Sequence, residues 1–224
     1  MLDRIDLDHV AVAAEDQHVL WPRYAGDLGG VYVGGGGIGG FWSGQVEYAN
    51  GMKVEVLEPF QVEVNDFLRR FLDRSGAGPH HMTFKVKDLE SALSTAEAAG
   101  YRPINVDMSD PYWKEAFLHP KESSGVVVQL AQSIDGYWET PPPEGFPERA
   151  PVMAALVRIV HAVADLEAGI RLFAGLLRGS EVERGVEVDN DEGIDLVVGG
   201  FDPLDAVGHQ LARSRLPGPD RRRQ

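Results

Sequence analysis

The sequence contains no cysteine. Disulfides, thiol nucleophiles and thiolate metal ligands are therefore excluded, and any metal site must be built from nitrogen and oxygen donors. No apolar run reaches membrane-spanning length, and the opening residues MLDRIDLDHV lack the apolar core of a signal peptide. The expectation is a cytoplasmic protein with no membrane partner. Basic residues are scarce, 21 Lys and Arg against 35 Asp and Glu, for a formal net charge of −14. That balance disfavours nucleic acid as a partner, because sequence-independent affinity for it comes largely from cationic side chains on phosphates. The local exception is Arg213, Arg215, Arg221, Arg222 and Arg223, which with Pro217 and Pro219 read as a solvated tail. What remains, 224 residues with 43% hydrophobic content, is enough chain for one large or two small soluble domains with a real core.

The most informative feature present is a repeat. IDLDHVAVAAED places His9 in an alternating apolar segment, and GPHHMTFKVKD places His80 and His81 in another. GMKVEVLEP and GVVVQLAQ each open on glycine and carry a lone polar side chain four residues on, Glu55 and Gln129. Glu55 follows His9 by 46 residues and Gln129 follows His81 by 48. A repeat of this length outranks local motifs. Side chains alternate along a strand, so only one of His80 and His81 can face a shared cavity, and matching the two segments selects His81. One strand histidine is more often a satisfied core or surface residue than a ligand. Two histidines and two oxygen donors at matched offsets point the other way, to a site for one divalent ion. Glu55 also interrupts an apolar strand, where an unpaired carboxylate is costly and a metal would offset that cost.

The periodicity gives each unit the order βαβββ. The first reads strand Ile5–Ala13, helix over about 16–28, strand Val31–Val33, and hairpin arms Phe41–Tyr48 and Met52–Leu57 about Asn50-Gly51, a two-residue turn in which both positions tolerate positive φ. A connecting helix follows in NDFLRRFLDRS. The second unit reads strand His81–Val86, helix Leu89–Ala99, strand Pro103–Val106, and arms Trp113–Leu118 and Val126–Ala131. Five prolines between Pro141 and Pro151 mark a linker. A third unit then begins with a strand in LVRIVHAV and a helix over 165–177. His161 stands in the place of His9, but Val197 occupies the oxygen-ligand offset, so His161 is expected to be structural and the unit metal-free. The expected division is 1–132, two metal-binding units; 133–151, linker; 152–212, an incomplete third unit; 213–224, a basic tail. With no fourth unit to pair with, the third is expected to bury its apolar face against a second copy and make a homodimer. Gly34-x-Gly36-x-x-Gly39 formally matches a dinucleotide fingerprint, but FWSGQVEY after it is strand-like and offers no helix N-terminus to a pyrophosphate, so the run is read as a mobile loop over the cavity mouth.

DHVAVA, KVEVLEP, FLRRFLDRSGAGPHHMTFKVKDLESAL and FLHPKESSGVVVQL, taken together, resemble the vicinal oxygen chelate superfamily, which includes glyoxalase I, extradiol dioxygenases and bleomycin-resistance proteins, and within it most resemble the methylmalonyl-CoA epimerases. The resemblance spans about 5–132. It implies an α+β fold in which paired βαβββ modules form a cupped, barrel-like mixed sheet about one divalent ion, cobalt, nickel, zinc, manganese or iron, with His9, Glu55, His81 and Gln129 as ligands. It implies a lyase or isomerase that stabilises an enolate or enediolate of a small carbonyl or acyl-CoA substrate. Two departures stand out. The last ligand of the epimerases is usually glutamate, and Gln129 cannot accept a proton near neutral pH. Where epimerases carry an acidic residue before the first hairpin, this sequence has VGGGGIGGFW. Glu47 and Glu115 are the candidate acid/base substitutes. Two further readings share the same donors: an extradiol-type non-haem Fe(II) dioxygenase built on two histidines and one carboxylate, and a non-catalytic ligand-sequestering protein.

Overall fold

The computed structural model describes residue 2 and residues 5–134, 139–189 and 192–200. The expected basic tail 213–224 and the end of the third unit lie outside the described residues. Strands β1 (Ile5–Ala13), β2 (Val31–Ile38), β3 (Gly40–Glu47), β4 (Lys53–Phe60), β5 (Gly78–Val86), β6 (Pro103–Asp107), β7 (Trp113–Leu118) and β8 (Val127–Ser133) form one mixed sheet in the order β2-β3-β4-β1-β5-β8-β7-β6. The sheet curls into a half-barrel, as expected for paired βαβββ modules. Its two four-stranded halves have the same connectivity and meet at β1 and β5. β1 runs parallel to β4, β5 runs parallel to β8, and β1 and β5 pair antiparallel. Because equivalent strands meet antiparallel, equivalent side chains from the two repeats are brought face to face at the seam.

Three apolar clusters hold the sheet. The largest joins Met82, Phe84 and Val86 of β5 and Leu130 of β8 to Leu89, Ala92 and Ala96 of helix α2 (Leu89–Ala98). Asp88 caps α2, accepting a hydrogen bond from Ser91 N at 2.7 Å. A second cluster packs Leu68 and Leu72 of helix α1 (Phe67–Ser75) onto Ala11, Ala13 and Leu57, on the face of β1 that also carries His9. A third gathers Trp21, Val46, Tyr48, Val54 and Val56.

The structure departs from the sequence expectation in three places. The helix expected over 16–28 is a 3-10 turn (Gln17–Val19) followed by a π-helical stretch (Pro22–Asp27). Pro22 has no N–H to donate, and buried Trp21 before it fixes which side of the segment faces the sheet. The glycine run is strand, not a mobile loop: β2 pairs with β3 from Val31↔Glu47 to Ile38↔Phe41. A Cβ on Gly35 would stand 2.3 Å from Ser43 O and 2.5 Å from the Tyr32 hydroxyl, so the close strand approach requires glycine there. The following strand, β3, confirms that no helix is present to receive a dinucleotide.

Third, LVRIVHAV is not a strand in the structure. Both ladder edges of β1 and of β5 are already taken, and the chain from Thr140 to His161 instead straps the sheet from outside. Thr140 Oγ1 accepts from Gly35 N at 2.9 Å and donates to Gly35 O at 3.0 Å on the edge strand β2. Phe146 packs on Trp21 and Tyr32, with ring centroids 5.3 and 5.2 Å away. Ala49 N donates to Ala154 O at 3.0 Å, and His161 Nε2 lies 2.9 Å from Ser124 O. Helix α3 (Leu166–Ile170) then continues as a π-helical stretch (Arg171–Leu176) whose Leu172 and Leu176 enter the largest cluster beside Phe84 and Leu130. Leu172 and Leu176 are thus buried against the chain's own second unit. Beyond them β9 (Ser180–Asp189) and β10 (Glu192–Gly200) form a separate antiparallel pair.

Candidate metal centre

The seam between β1 and β5 carries the site. His9 pairs with Thr83 and Ala11 with His81 across it, while Ala11 pairs with Glu55 on β4 and Thr83 with Gln129 on β8. Each half therefore delivers its oxygen donor beside the residue two places after its histidine. His9 (1% exposed), Glu55 (8%), His81 (6%) and Gln129 (6%) are all buried. The nitrogen and oxygen atoms that His9, Glu55 and His81 can offer lie within 4.8 Å of one another. Glu55 Oε2 is 3.4 Å from His9 Nε2 and 3.5 Å from His81 Nε2.

The donor set fits a divalent ion. His81 Nε2 is buried with no hydrogen-bond partner, and a buried polar atom left idle calls for one. Two imidazole nitrogens and a carboxylate are the ligand types that zinc, iron, cobalt, nickel and manganese accept once thiolates are excluded. Gln129 is arranged differently. Its Oε1 accepts from Thr83 Oγ1 and its Nε2 donates to Glu115 Oε2 at 2.7 Å. Thr83 Oγ1 is also 2.8 Å from His9 Nε2.

Charge is distributed unevenly between the two histidines. Burial pulls both imidazoles down, but at His9 the charge of Glu55 and the hydrogen bond to Asp8 reverse the effect and raise its pKa to about 9. At His81 burial prevails over the pull of Glu55, and the pKa falls to about 3. Burial likewise works to raise Glu55, but His9 outweighs it and holds the carboxyl below its usual range. Asp8 is opposed by burial too, yet its hydrogen bond to His9, the charge of His9, and Lys85 and Lys53 keep it well below the ordinary carboxylate range.

Of the two candidate acid/base residues, the structure brings Glu115 to this cluster. Its Oε2 accepts from both Gln129 Nε2 and Trp113 Nε1, each at 2.7 Å. Burial raises the Glu115 pKa despite those two donors, and the nearby charge of Glu55 adds to the rise. Glu47 lies elsewhere: on β3 it stands opposite Lys53, two ladder positions beyond the Gln45↔Glu55 pair. Among the described residues no hydrogen bond or ion pair joins Glu47 to the four donors.

Four contributors escaped the sequence reading. Gln45 Nε2 donates to Glu55 Oε1 at 3.2 Å, Thr83 bridges His9 and Gln129, Asp8 Oδ2 lies 2.8 Å from His9 Nδ1, and His80 Nδ1 lies 2.8 Å from His81 Nδ1. The last corrects the expectation that alternation would turn His80 away. A register shift between the Ala11↔His81 and Val12↔Pro79 pairs leaves His80 as an extra residue and re-aims it.

Residues 8–117 match the model of the glyoxalase/bleomycin resistance protein/dioxygenase superfamily. Named relatives of the chain include the mitochondrial methylmalonyl-CoA epimerase of Dictyostelium discoideum, with 33% identity over 89 residues, 36% of this chain and 49% of that protein. The chain thus spans about half the length of the curated relative it matches. Among solved structures, a hypothetical protein from Bacillus halodurans C-125 superposes with a TM-score of 0.54 at 26% identity, covering 59% of this chain and 97% of that one. Methylmalonyl-CoA epimerase from Mycobacterium tuberculosis superposes with a TM-score of 0.52 at 22% identity, covering 57% of this chain and 87% of that one, a likeness of fold alone. Among the described residues no helix is long and apolar enough to cross a membrane.

Proposed function

We propose that this protein is a divalent-metal-dependent enzyme that moves a proton α to the carbonyl of a small acid or acyl-CoA substrate by way of an enolate. The observation that carries the reading is the buried His9, Glu55 and His81 donor set with the Glu115 carboxylate tied to its edge through Gln129. His9, Glu55 and His81 would hold the ion, with Gln129 completing the set or yielding to substrate. The ion, when bound, supplies Lewis-acid polarisation of the substrate carbonyl oxygen, which lowers the cost of negative charge developing there.

The remaining work falls to the chain's own residues. Glu115 is suited to take and return the proton, because burial brings its carboxyl closer to neutral pH than an exposed glutamate and the Trp113 and Gln129 donors fix its orientation. Gln129 links the ligand layer to that base. The acyl-CoA class is supported by the Dictyostelium relative. Inversion at a carbon centre benefits from an acid/base on each face of the enolate plane, and the place of a second is taken by the glycines of β2. Exchange of the α-proton with solvent should therefore outrun inversion.

The test is proton magnetic resonance of methylmalonyl-CoA in deuterated buffer with metal-loaded protein. Metal-dependent loss of the α-proton signal supports the reading, and no exchange above the metal-only control overturns the acyl-CoA assignment. A second reading rests on the tethering of Gln129 between Thr83 and Glu115, which leaves two histidines and one carboxylate, the facial set of non-haem Fe(II) oxygenases. Oxygen uptake by the Fe(II)-loaded protein with a catechol would favour it.

A further inference from the structure

The β1–β5 ladder contains two irregularities, and they are related by the repeat. From Leu7↔Phe84 to His9↔Thr83 the pairing advances two residues on β1 and one on β5, so Asp8 is extra. From Ala11↔His81 to Val12↔Pro79 it advances one on β1 and two on β5, so His80 is extra. Between the two bulges lie three regular pairs centred on Val10↔Met82. Asp8 and His80 are thus equivalent, 72 residues apart like His9 and His81, and each immediately precedes a histidine of the donor set. A regular strand would send neighbouring side chains to opposite faces, whereas a bulge re-aims one of them. Both extra residues are re-aimed at the same atom of the next ring: Asp8 Oδ2 to His9 Nδ1 and His80 Nδ1 to His81 Nδ1, each at 2.8 Å.

We infer that Asp8 and His80 are matched positioning residues, delivered by twin β-bulges, that fix the ring orientation and tautomer of the two metal-binding imidazoles. The inference rests on the metal reading above. A neutral imidazole that gives Nε2 to an ion carries its hydrogen on Nδ1, and that N–H needs an acceptor. At His9 the acceptor is the Asp8 carboxylate, itself anchored by Lys53 Nζ at 2.9 Å and Lys85 Nζ at 3.3 Å. At His81 it is His80 Nδ1, which must then be bare, with the His80 hydrogen on Nε2. The His80 ring is seated against Phe71 and Phe67 of α1, at centroid distances of 4.7 and 5.8 Å, so helix packing sets its angle. The two imidazoles are therefore unequal ligands despite the repeat: His9 is polarised by an anion and His81 by a neutral ring.

Co²⁺ affinity of the full chain, measured by chelator competition, tests this with Asp8→Ala, Asp8→Asn, His80→Leu and His80→Asn. Asp8→Ala and His80→Leu should each weaken Co²⁺ binding by roughly 10- to 100-fold. The asparagine variants, which keep a polar atom at the Nδ1 contact, should recover much of the loss, a rescue that loss of packing alone would not show. In Zn²⁺-loaded protein, nitrogen magnetic resonance should find His80 with Nδ1 bare and Nε2 protonated. A wild type that takes up no Co²⁺ overturns the metal reading and this inference with it. A wild type that binds Co²⁺, with affinity unchanged in Asp8→Ala and His80→Leu or with His80 protonated on Nδ1, overturns this inference alone.

Discussion

Gln129 Nε2 donates to Glu115 Oε2 at 2.7 Å, so the amide at the edge of the donor set and the carboxylate beside it are held as one unit. If Glu115 moves the substrate proton, Glu115→Gln should slow α-proton exchange by about 100- to 10,000-fold, the usual contribution of a positioned acid/base. Metal content should stay as in the wild type. Trp113→Phe, which removes the other donor to the same oxygen, should cost less. Exchange at the wild-type rate in Glu115→Gln, followed by magnetic resonance, would remove Glu115 from the chemistry.

Purified protein loaded with Zn²⁺ should hold about one ion per chain, as expected for a three- or four-donor site. His81→Ala should lose most of it, and so should Glu55→Gln, whose oxygen faces both rings. Elemental analysis of a His9→Ala, His81→Ala double variant is decisive: one equivalent of tightly held ion there would mean that the site lies elsewhere.

Loading should release protons at neutral pH. The metal-free protein carries its proton on His9, raised to about 9, while His81, lowered to about 3, is already neutral. An incoming ion must therefore expel about one proton at pH 7. Calorimetric titrations in buffers of different ionisation heat read this directly, and uptake without net proton release contradicts it. The same shifts shape stability. The raised His9 contributes stability that is full below the ordinary histidine value of 6.5 and is lost as pH rises towards about 9. The depressed His80 and His81 contribute stability that is full above 6.5 and is lost as pH falls towards about 4 and 3. Together these three groups favour maximum stability of the metal-free fold near pH 6.5, a curve that denaturant titrations can trace.

Leu172 is fully buried in the cluster that contains Phe84 and Leu130, although some forty residues separate it from β8. Leu172→Ala should destabilise the protein by roughly 2–5 kcal/mol, the range for emptying a well-packed aliphatic site. Chemical denaturation would show it. A change below about 0.5 kcal/mol, as at an ordinary surface position, would mean that residues 166–177 do not share the core in solution.

Much of this fold was legible because its signals are local. β1 and β7 have the bounds that alternation gives, and the hairpin between β3 and β4 turns at Asn50-Gly51, although only Gly51 takes positive φ and Ala49 joins the turn that Tyr48 N and Met52 O close. His9, Glu55, His81 and Gln129 converge because a repeat in sequence becomes a two-fold in space. What the sequence hid depends on register or on distant packing. The bulges at Asp8 and His80 exist only in the pairing of β1 with β5, so alternation misplaces His80. The glycines of β2 have little strand preference of their own, and it is pairing with β3 and the strapping Thr140 that hold them extended. LVRIVHAV has a strand-like pattern, but no ladder edge is free beside β1 to receive it.

An open sheet has two outer edges, and the two are guarded by different means. At β6 the guard is irregularity: Asn105 lies in the left-handed region, at φ 49°, and pairing with β7 skips between Ile104 and Asp107. At β2 it is the Thr140 hydroxyl, which occupies both the N–H and the C=O of Gly35 as a neighbouring strand would. Edge groups left bare invite another chain to pair. The strap thus doubles as protection against self-polymerisation, and Thr140→Val should bare a glycine-rich edge, raise light scattering on storage and leave the initial metal content intact.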